Sequence, residues 1–159
     1  MKPAVRAVLF DLDGTLIDSA PDLAAAANHL RAVRGVAPLP MDALRPLVGA
    51  GARGMLHAAF GVAPGDDAFE ALRIEFLDRY AAHSLVHTVV FDGMAGVLAQ
   101  IEQRGLHWCI VTNKAERYTH PIVTGLGLMQ RAAVVISGDT TPHSKPHPAP
   151  LEEAAQRLR

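Results

Sequence analysis

The sequence predicts an α/β fold, a doubly wound parallel sheet with about three core strands and an inserted small helical domain. Its short apolar runs are continuous rather than alternating, which is typical of strands buried on both faces of a parallel sheet. Helical stretches separate the later runs, which implies right-handed βαβ units. A long interval of helical character follows the first run and indicates the insertion.

The first strand is predicted over residues 5–10, where an apolar, β-branched run ends abruptly at Asp11. No strand is evident from there to about residue 85, and Ser19 or Asp22 is the candidate N-cap of the first helix. Helical spacing and helix-start signals predict four helices in this interval, at residues 22–34, 42–47, 53–60 and 66–82. The resulting domain assignment is a helical insertion over residues 17–85, with the α/β core in residues 1–16 and 86–159.

Sheet character returns in the second half of the chain, with strands predicted over residues 106–111 and 132–136. Helices are predicted over residues 97–104, 115–125 and 151–159. Because a doubly wound sheet usually has about five or six strands, the sheet is expected to be incomplete and the chain truncated at its C-terminal end.

Composition argues against several classes of partner and setting. A formal net charge of -1 gives no electrostatic reason to expect nucleic acid or a membrane surface. The only cysteine, Cys109, excludes an intramolecular disulfide and argues against a cysteine-based zinc site. No signal peptide is evident, and no stretch approaches the roughly 18 apolar residues that span a bilayer. The expected location is the cytoplasm.

The sharpest chemical feature is the string F-D-L-D-G-T-L at residues 10–16, at the carboxyl end of the first strand, where open α/β sheets bind ligands. Asp11 is a candidate nucleophile toward phosphorus, and Asp13 a candidate acid and base for the leaving oxygen and for water. A Mg²⁺ ion nearby would offset the repulsion between these carboxylates and a phosphate. The alternative is a simple turn rich in Asp and Gly.

Polar residues also follow the second and third predicted strands. In V-T-N-K at residues 111–114, Thr112 and Asn113 are candidate ligands of a phosphate oxygen, although both residue types also cap helices. In S-K-P-H-P at residues 144–148, prolines restrict the backbone around Lys145. Lys145 is a candidate for neutralising phosphoryl charge and shielding Asp11, the alternative being a solvated surface lysine.

In this order, the three motifs resemble those of the haloacid dehalogenase superfamily of phosphotransferases, over essentially the whole chain. The helical insertion is similar to the small cap domain of that superfamily. The longer string D-L-D-G-T-L-I-D-S-A-P-D-L, together with G-D-T and K-P-H-P-A-P, most resembles bacterial phosphoglycolate phosphatases. The resemblance implies that Asp11 is the nucleophile and Asp13 the general acid and base. It also implies that Thr112 and Lys145 bind phosphate, and that Mg²⁺ is held by the Asp11 carboxylate and the Asp13 main-chain carbonyl.

One motif of the superfamily has no counterpart, namely an acidic pair of the G-D-D type after a fourth core strand. Asp139, in S-G-D-T at residues 137–140, superficially resembles it but precedes Lys145 and is not assigned to the metal. The expectation is therefore a truncated chain with little or no activity. Its first strand, which is central in the superfamily, would become an exposed apolar edge through which the chain self-associates.

A second glycine-rich string, G-x-G-x-x-G at residues 49–54, lacks the preceding strand and the downstream acid of a dinucleotide site. The loop is expected to face the catalytic pocket, where Arg53 would read a substrate carboxylate. A helix-start turn with a solvated Arg53 is an equally open alternative.

The expected function is Mg²⁺-dependent hydrolysis of a small phosphorylated metabolite through a phospho-aspartate, with 2-phosphoglycolate as the leading substrate. Two alternatives stay open. One is a catalytically silent, self-associating fragment. The other is a phosphosugar mutase, which by the same resemblance uses the same pair of aspartates and a similar cap.

Overall fold

A computed structural model describes residues 5–159, which form two compact units. One unit combines the chain up to Ile17 with Val90–Arg159, and the other is Asp18–Val89. The elements are, in chain order, β1 (Ala7–Phe10), β2 (Ile17–Asp18), α1 (Ala20–Ala32), α2 (Met41–Leu44), a 3₁₀ helix (Arg45–Ala50), α3 (Gly51–Phe60), α4 (Phe69–Ala82), β3 (Val89–Val90), α5 (Met94–Gln103), β4 (His107–Val111), α6 (Glu116–Gly125), β5 (Val134–Ile136) and α7 (Ala149–Arg157).

The first unit is built on a parallel three-stranded sheet in the order β1–β4–β5. Cys109 on β4 is the register partner of both Leu9 on β1 and Val134 on β5. This sheet, with helices following its strands, confirms the predicted α/β class and the three predicted core strands. Each strand begins one or two residues later than predicted.

Burial in this sheet follows strand position. Trp108, Cys109, Ile110 and Val111 on the central strand β4 are all buried, whereas every residue of β1 is only partly buried. Helix α7 packs on the other end of the sheet, where the buried Ala154 joins the cluster of β4 and β5 side chains. Within residues 5–159, β1 is therefore an edge strand with less apolar cover than its sequence implies.

The second unit is helical, as predicted, and its core consists of large apolar side chains from the successive helices. The fully buried members include Leu30, Leu44, Met55, Leu56 and Phe76. The role of this unit as a cap stays a prediction. No helix among the described residues has the length and apolarity needed to cross a membrane.

Two further features were not predicted. Strands β2 and β3 pair in a separate two-stranded sheet, and each is too short to show a strand period. The buried Asp22 is the third residue of α1, in its first turn, and Ser19 is the N-cap of this helix. Its carboxylate accepts hydrogen bonds from the main chain of His87 and Thr88 and from the Thr88 hydroxyl, at 2.7 to 3.0 Å. This polar residue stabilises a contact distant in sequence.

Candidate active site

The turn after β1 holds the first motif in one conformation. The Leu12 carbonyl accepts hydrogen bonds from the N–H groups of Thr15, Leu16 and Ile17 at 3.2, 3.0 and 3.2 Å. Gly14 adopts a φ of 74°, a left-handed conformation that favours glycine. Because the Leu12 side chain is fully buried, it anchors the backbone between the two candidate catalytic aspartates.

Asp11 and Lys145 are brought together although they are far apart in sequence. The Lys145 Nζ lies 3.0 Å from Asp11 Oδ1 and also donates to the Val111 carbonyl at 2.6 Å. Asp11 Oδ1 also accepts the N–H of Leu12 at 2.8 Å. The Asp11 side chain is 47% exposed, and among the described residues no hydrogen bond is made to its Oδ2. One carboxylate oxygen is thus held by two donors, and the side chain as a whole is about half exposed.

Asn113 holds the main chain of Lys145. Its Nδ2 donates to the Lys145 carbonyl at 2.9 Å, and its Oδ1 accepts the Lys145 N–H at 2.8 Å. These two bonds tie the loop after β4 to the loop after β5. The amide has one N–H and one lone pair beyond them, so its assignment as a phosphate ligand stays a prediction.

Thr112 follows the last residue of β4 and is buried, and its N–H donates to the Ile136 carbonyl on β5 at 2.9 Å. Its Oγ1 accepts the N–H of Lys114 at 3.1 Å. Because that hydroxyl acts as an acceptor in this bond, its own proton can be donated to an oxygen of a ligand. Its predicted role in phosphate binding is compatible with this geometry and remains a prediction.

Lys114 is a site residue that the sequence did not reveal. Its Nζ lies 3.0 Å from Asp13 Oδ1, and the two side chains are only 9% and 14% exposed. Burial lowers the pKa of Lys114, and the charge and hydrogen bond of Asp13 oppose that change. Lys114 is part of the string V-T-N-K, but a single lysine in a sequence is ordinarily solvated. The burial of Lys114 depends on distant parts of the chain.

The S-G-D-T loop contacts the main chain of residues next to the site. Asp139 Oδ1 accepts the N–H of Glu116 at 2.8 Å, so this carboxylate caps the start of α6. Gly138 donates its N–H to the Lys114 carbonyl at 2.8 Å. A Cβ at Gly138 would lie 2.1 Å from the Asn113 carbonyl oxygen, so only glycine permits this approach. Asp139 and Gly138 thus have local structural roles, which account for these two residues without a bound metal.

Arg53 lies on α3 in the second unit and is exposed. Its predicted contact with a substrate carboxylate stays a prediction. The neighbouring glycines have local explanations, because Gly51 has a φ of 58° and a Cβ at Gly54 would lie 2.7 Å from the Ala50 Cβ. The G-x-G-x-x-G string thus needs no ligand to account for those two glycines.

The residues present fit a hard divalent cation with few protein ligands. Among residues 5–159 there is no cluster of three or more His, Cys, Asp or Glu side chains suited to a metal. Mg²⁺ commonly uses one or two carboxylates and completes its shell with water and substrate phosphate. Asp11 offers a partly exposed carboxylate for this purpose. The two lysines and two aspartates sum to no formal charge, so a phosphate dianion would add uncompensated negative charge that a cation offsets.

Comparison with known proteins places these motifs in context. A family model described as haloacid dehalogenase-like hydrolase matches residues 8–159. The N-acetylmuramic acid 6-phosphate phosphatase of Pseudomonas putida is 46% identical over 154 residues, which are 97% of this chain and 69% of that protein. The phosphoglycolate phosphatase of Xanthomonas campestris pv. campestris is 48% identical over 153 residues, which are 96% of this chain and 69% of that protein.

The fold is likewise shared with solved structures. A crystal structure of a predicted phosphoglycolate phosphatase from Haemophilus somnus matches with a TM-score of 0.82 at 24% identity, covering 99% of this chain and 73% of that one. This likeness, over nearly the whole chain, confirms the fold predicted from the sequence.

Proposed function

The chain belongs to the haloacid dehalogenase-like hydrolase family and is by family a phosphoric monoester hydrolase, and on that premise we propose that it hydrolyses a small phosphate monoester through a phospho-aspartate at Asp11. The observation that carries the proposal is the 3.0 Å contact between Asp11 and Lys145. It joins the first and third motifs at the carboxyl end of the sheet. The Asp11 carboxylate, on a side chain that is 47% exposed, is then the group able to attack phosphorus.

The reaction has two steps in which atoms and protons balance. In the first, an Asp11 oxygen forms a bond to phosphorus while the bond to the ester oxygen breaks, and Asp13 donates a proton to that leaving oxygen. In the second, Asp13 takes a proton from water as the water oxygen attacks phosphorus. The bond to Asp11 then breaks, inorganic phosphate leaves, and both carboxyl groups return to their starting forms.

Side chains around Asp11 have separate tasks in this scheme. Lys145 stabilises the charge on the phosphoryl oxygens, and its position is maintained by the two bonds from Asn113. Thr112 donates its hydroxyl proton to a phosphoryl oxygen. When bound, Mg²⁺ supplies positive charge to the phosphoryl group, and the Asp11 carboxylate and the Asp13 main-chain carbonyl would hold it.

Two substrates have specific support. The 48% identical relative is named for phosphoglycolate and the 46% identical relative for N-acetylmuramic acid 6-phosphate. Both compounds carry a carboxylate as well as a phosphate. We favour 2-phosphoglycolate, the substrate that the sequence motifs indicate, with N-acetylmuramic acid 6-phosphate as the second candidate. Arg53 is the proposed reader of the carboxylate.

The test measures phosphate release from each of these compounds and from glucose 6-phosphate, which lacks the carboxylate, with and without Mg²⁺. Hydrolysis should require Mg²⁺, and Asp11→Asn should reduce it to the background rate because an amide is a poor nucleophile. Arg53→Ala should raise KM for the acidic substrates more than for glucose 6-phosphate.

Each other outcome has a definite meaning. Turnover that survives Asp11→Asn would exclude the phospho-aspartate. Absence of turnover at high protein concentration would favour the silent-fragment alternative, and conversion of a sugar phosphate into its isomer would favour the mutase.

The setting and partners are also proposed. Support for a cytoplasmic location comes from the single, buried cysteine, because a disulfide framework is absent from the sequence. A small phosphorylated metabolite is the proposed ligand. A second copy of the chain is the proposed partner at β1, which is a partly exposed edge strand in the part of the chain that the structure describes.

A further inference from the structure

Among the described residues, Lys114 is a nearly buried charged residue of the site to which neither the motifs nor the proposed reaction gives a task. We infer that Lys114 is a positioning residue that fixes the Asp13 carboxyl group in the orientation from which its protonated form donates a proton to the leaving oxygen. The inference rests on the proposed function and extends it to a residue outside the predicted set.

The main chain of Lys114 is anchored on both sides. Its N–H donates to the Thr112 hydroxyl at 3.1 Å, and its carbonyl accepts the Gly138 N–H at 2.8 Å and the Thr119 hydroxyl at 3.0 Å. The side chain therefore starts from a backbone that three different segments hold. A lysine on a fixed backbone can direct its ammonium group to one place, whereas a surface lysine samples many rotamers.

Burial makes the contact with Asp13 different from the other ion pairs. Of the ion pairs among the described residues, Lys114–Asp13 is the least exposed, at 9% and 14%, compared with 24% and 47% for Lys145–Asp11. Exposed pairs are mobile and contribute little, whereas a buried pair is held because separating it leaves an uncompensated charge. The lowered pKa of Lys114 reflects the same burial.

The two lysines thus serve the two aspartates differently. Lys145 contacts the proposed nucleophile, whose side chain stays about half exposed, while Lys114 contacts the proposed acid, whose side chain is nearly buried. A general acid acts only when it lies within hydrogen-bond reach of the leaving oxygen. Loss of Lys114 should therefore misplace Asp13 and slow the steps that need its proton, leaving the attack by Asp11 intact.

The test compares kcat/KM of the wild-type chain and Lys114→Met for two phosphate esters. One is 2-phosphoglycolate, whose alkoxide leaving group needs a proton, and the other is 4-nitrophenyl phosphate, whose phenolate does not. The constant kcat/KM reports only the steps up to and including departure of the leaving group. Lys114→Met should therefore lower kcat/KM on the order of a hundredfold for 2-phosphoglycolate, the size of a general-acid effect. For 4-nitrophenyl phosphate the loss should be less than about threefold, within the range of indirect effects.

Three variants complete the comparison. Asp13→Asn should show the same dependence on the leaving group, because it removes the acid itself. Arg131→Met, which breaks an exposed ion pair with Glu102, should leave kcat/KM unchanged for both esters. Lys114→Gln keeps a hydrogen-bond donor and replaces Lys114→Met if that protein fails to fold. Equal losses for the two esters, or no loss, would overturn the inference.

Failure of the proposed function is a separate outcome. If the wild-type chain hydrolyses neither ester, the phosphatase proposal fails for this chain. The contact between Lys114 and Asp13 is then tested by unfolding the variants in urea. Lys114→Met and Asp13→Asn should each lower the urea midpoint, and the double variant should lower it by less than the sum of the two shifts. Strictly additive shifts would show that Lys114 does not hold Asp13.

Discussion

At the level of single residues, the aspartates and lysines of this site differ in how far the sequence reveals them. Asp11 and Lys145 were predicted to act together, because each stands in a distinctive string at the end of a strand, and parallel strands bring their carboxyl ends to one edge. Their 3.0 Å contact is the arrangement that such strings predict. Lys114 was missed because its burial depends on the packing of Asp13, Thr119 and Gly138, which no local pattern encodes.

Asn113 shows a residue whose position was predicted more easily than its contacts. A strand-end amide before a helix suggests a phosphate ligand, yet both polar atoms of this amide bind the main chain of Lys145, 32 residues further along the chain. Only the tertiary fold determines such a partner. The structure therefore indicates that Asn113 positions the main chain of Lys145.

Replacement of Asn113 by alanine tests this role, and the chain contains a matched control. Asn28 makes the same pair of bonds to the main chain of Leu39, at 3.0 and 2.8 Å, in the second unit. Each alanine variant should lose about 1–3 kcal/mol of unfolding free energy in urea, because two hydrogen bonds disappear. Only Asn113→Ala should also lower kcat for 4-nitrophenyl phosphate, since only it releases Lys145. Equal effects of the two variants on kcat would contradict this.

At the level of elements, the longer helices were predictable from their apolar spacing and boundary signals, and the core strands from their continuous apolar runs. The observed α1, α3, α4 and α6 each begin within a few residues of the predicted positions. The pair β2 and β3 was not found, since two-residue strands carry no periodicity. Their pairing depends on the main chain and on the Asp22 contacts to His87 and Thr88, which lie 65 and 66 residues away in sequence.

The loop after β5 illustrates a steric requirement that the sequence shows only as a common turn residue. The space at Gly138 is closed by the Asn113 carbonyl, 2.1 Å from where a Cβ would stand. Gly138→Ala must push apart the loops after β4 and β5. We expect a loss of about 1–3 kcal/mol of unfolding free energy, together with reduced phosphatase activity.

The matched control for that substitution is Gly96→Ala on α5. No atom lies within 4 Å of a Cβ at Gly96, and this glycine has no positive φ. Because alanine favours a helix interior over glycine by about 1 kcal/mol, Gly96→Ala should raise the unfolding free energy slightly. Urea unfolding of both variants measures the difference. A tolerated Gly138→Ala would mean that the two loops are not in close contact in solution.

At the level of the whole molecule, the order of the strands in the sheet bears more on self-association than any single side chain does. The described sheet ends at β1, whose residues are partly buried, and the preceding Val5 is 68% exposed. The His107 N–H donates to the Arg6 carbonyl. Main-chain groups alternate in direction along a strand, so the N–H and C=O of Ala7 face away from β4. An apolar strand with unpaired groups is a template for another strand.

We therefore expect the 159-residue chain to self-associate through β1, and sedimentation velocity at rising concentration to show a dimer or larger species. Ala7→Pro removes an outward N–H at the first residue of the strand, where proline is tolerated, and should shift the distribution toward monomer. Ala37→Pro, in an exposed loop of the second unit, is the control and should leave association unchanged. Because strand addition acts through main-chain groups, the effect should persist at high salt, unlike an association through charged side chains. A monomer at every concentration, for the unmodified chain, would show that the edge of β1 is protected in solution.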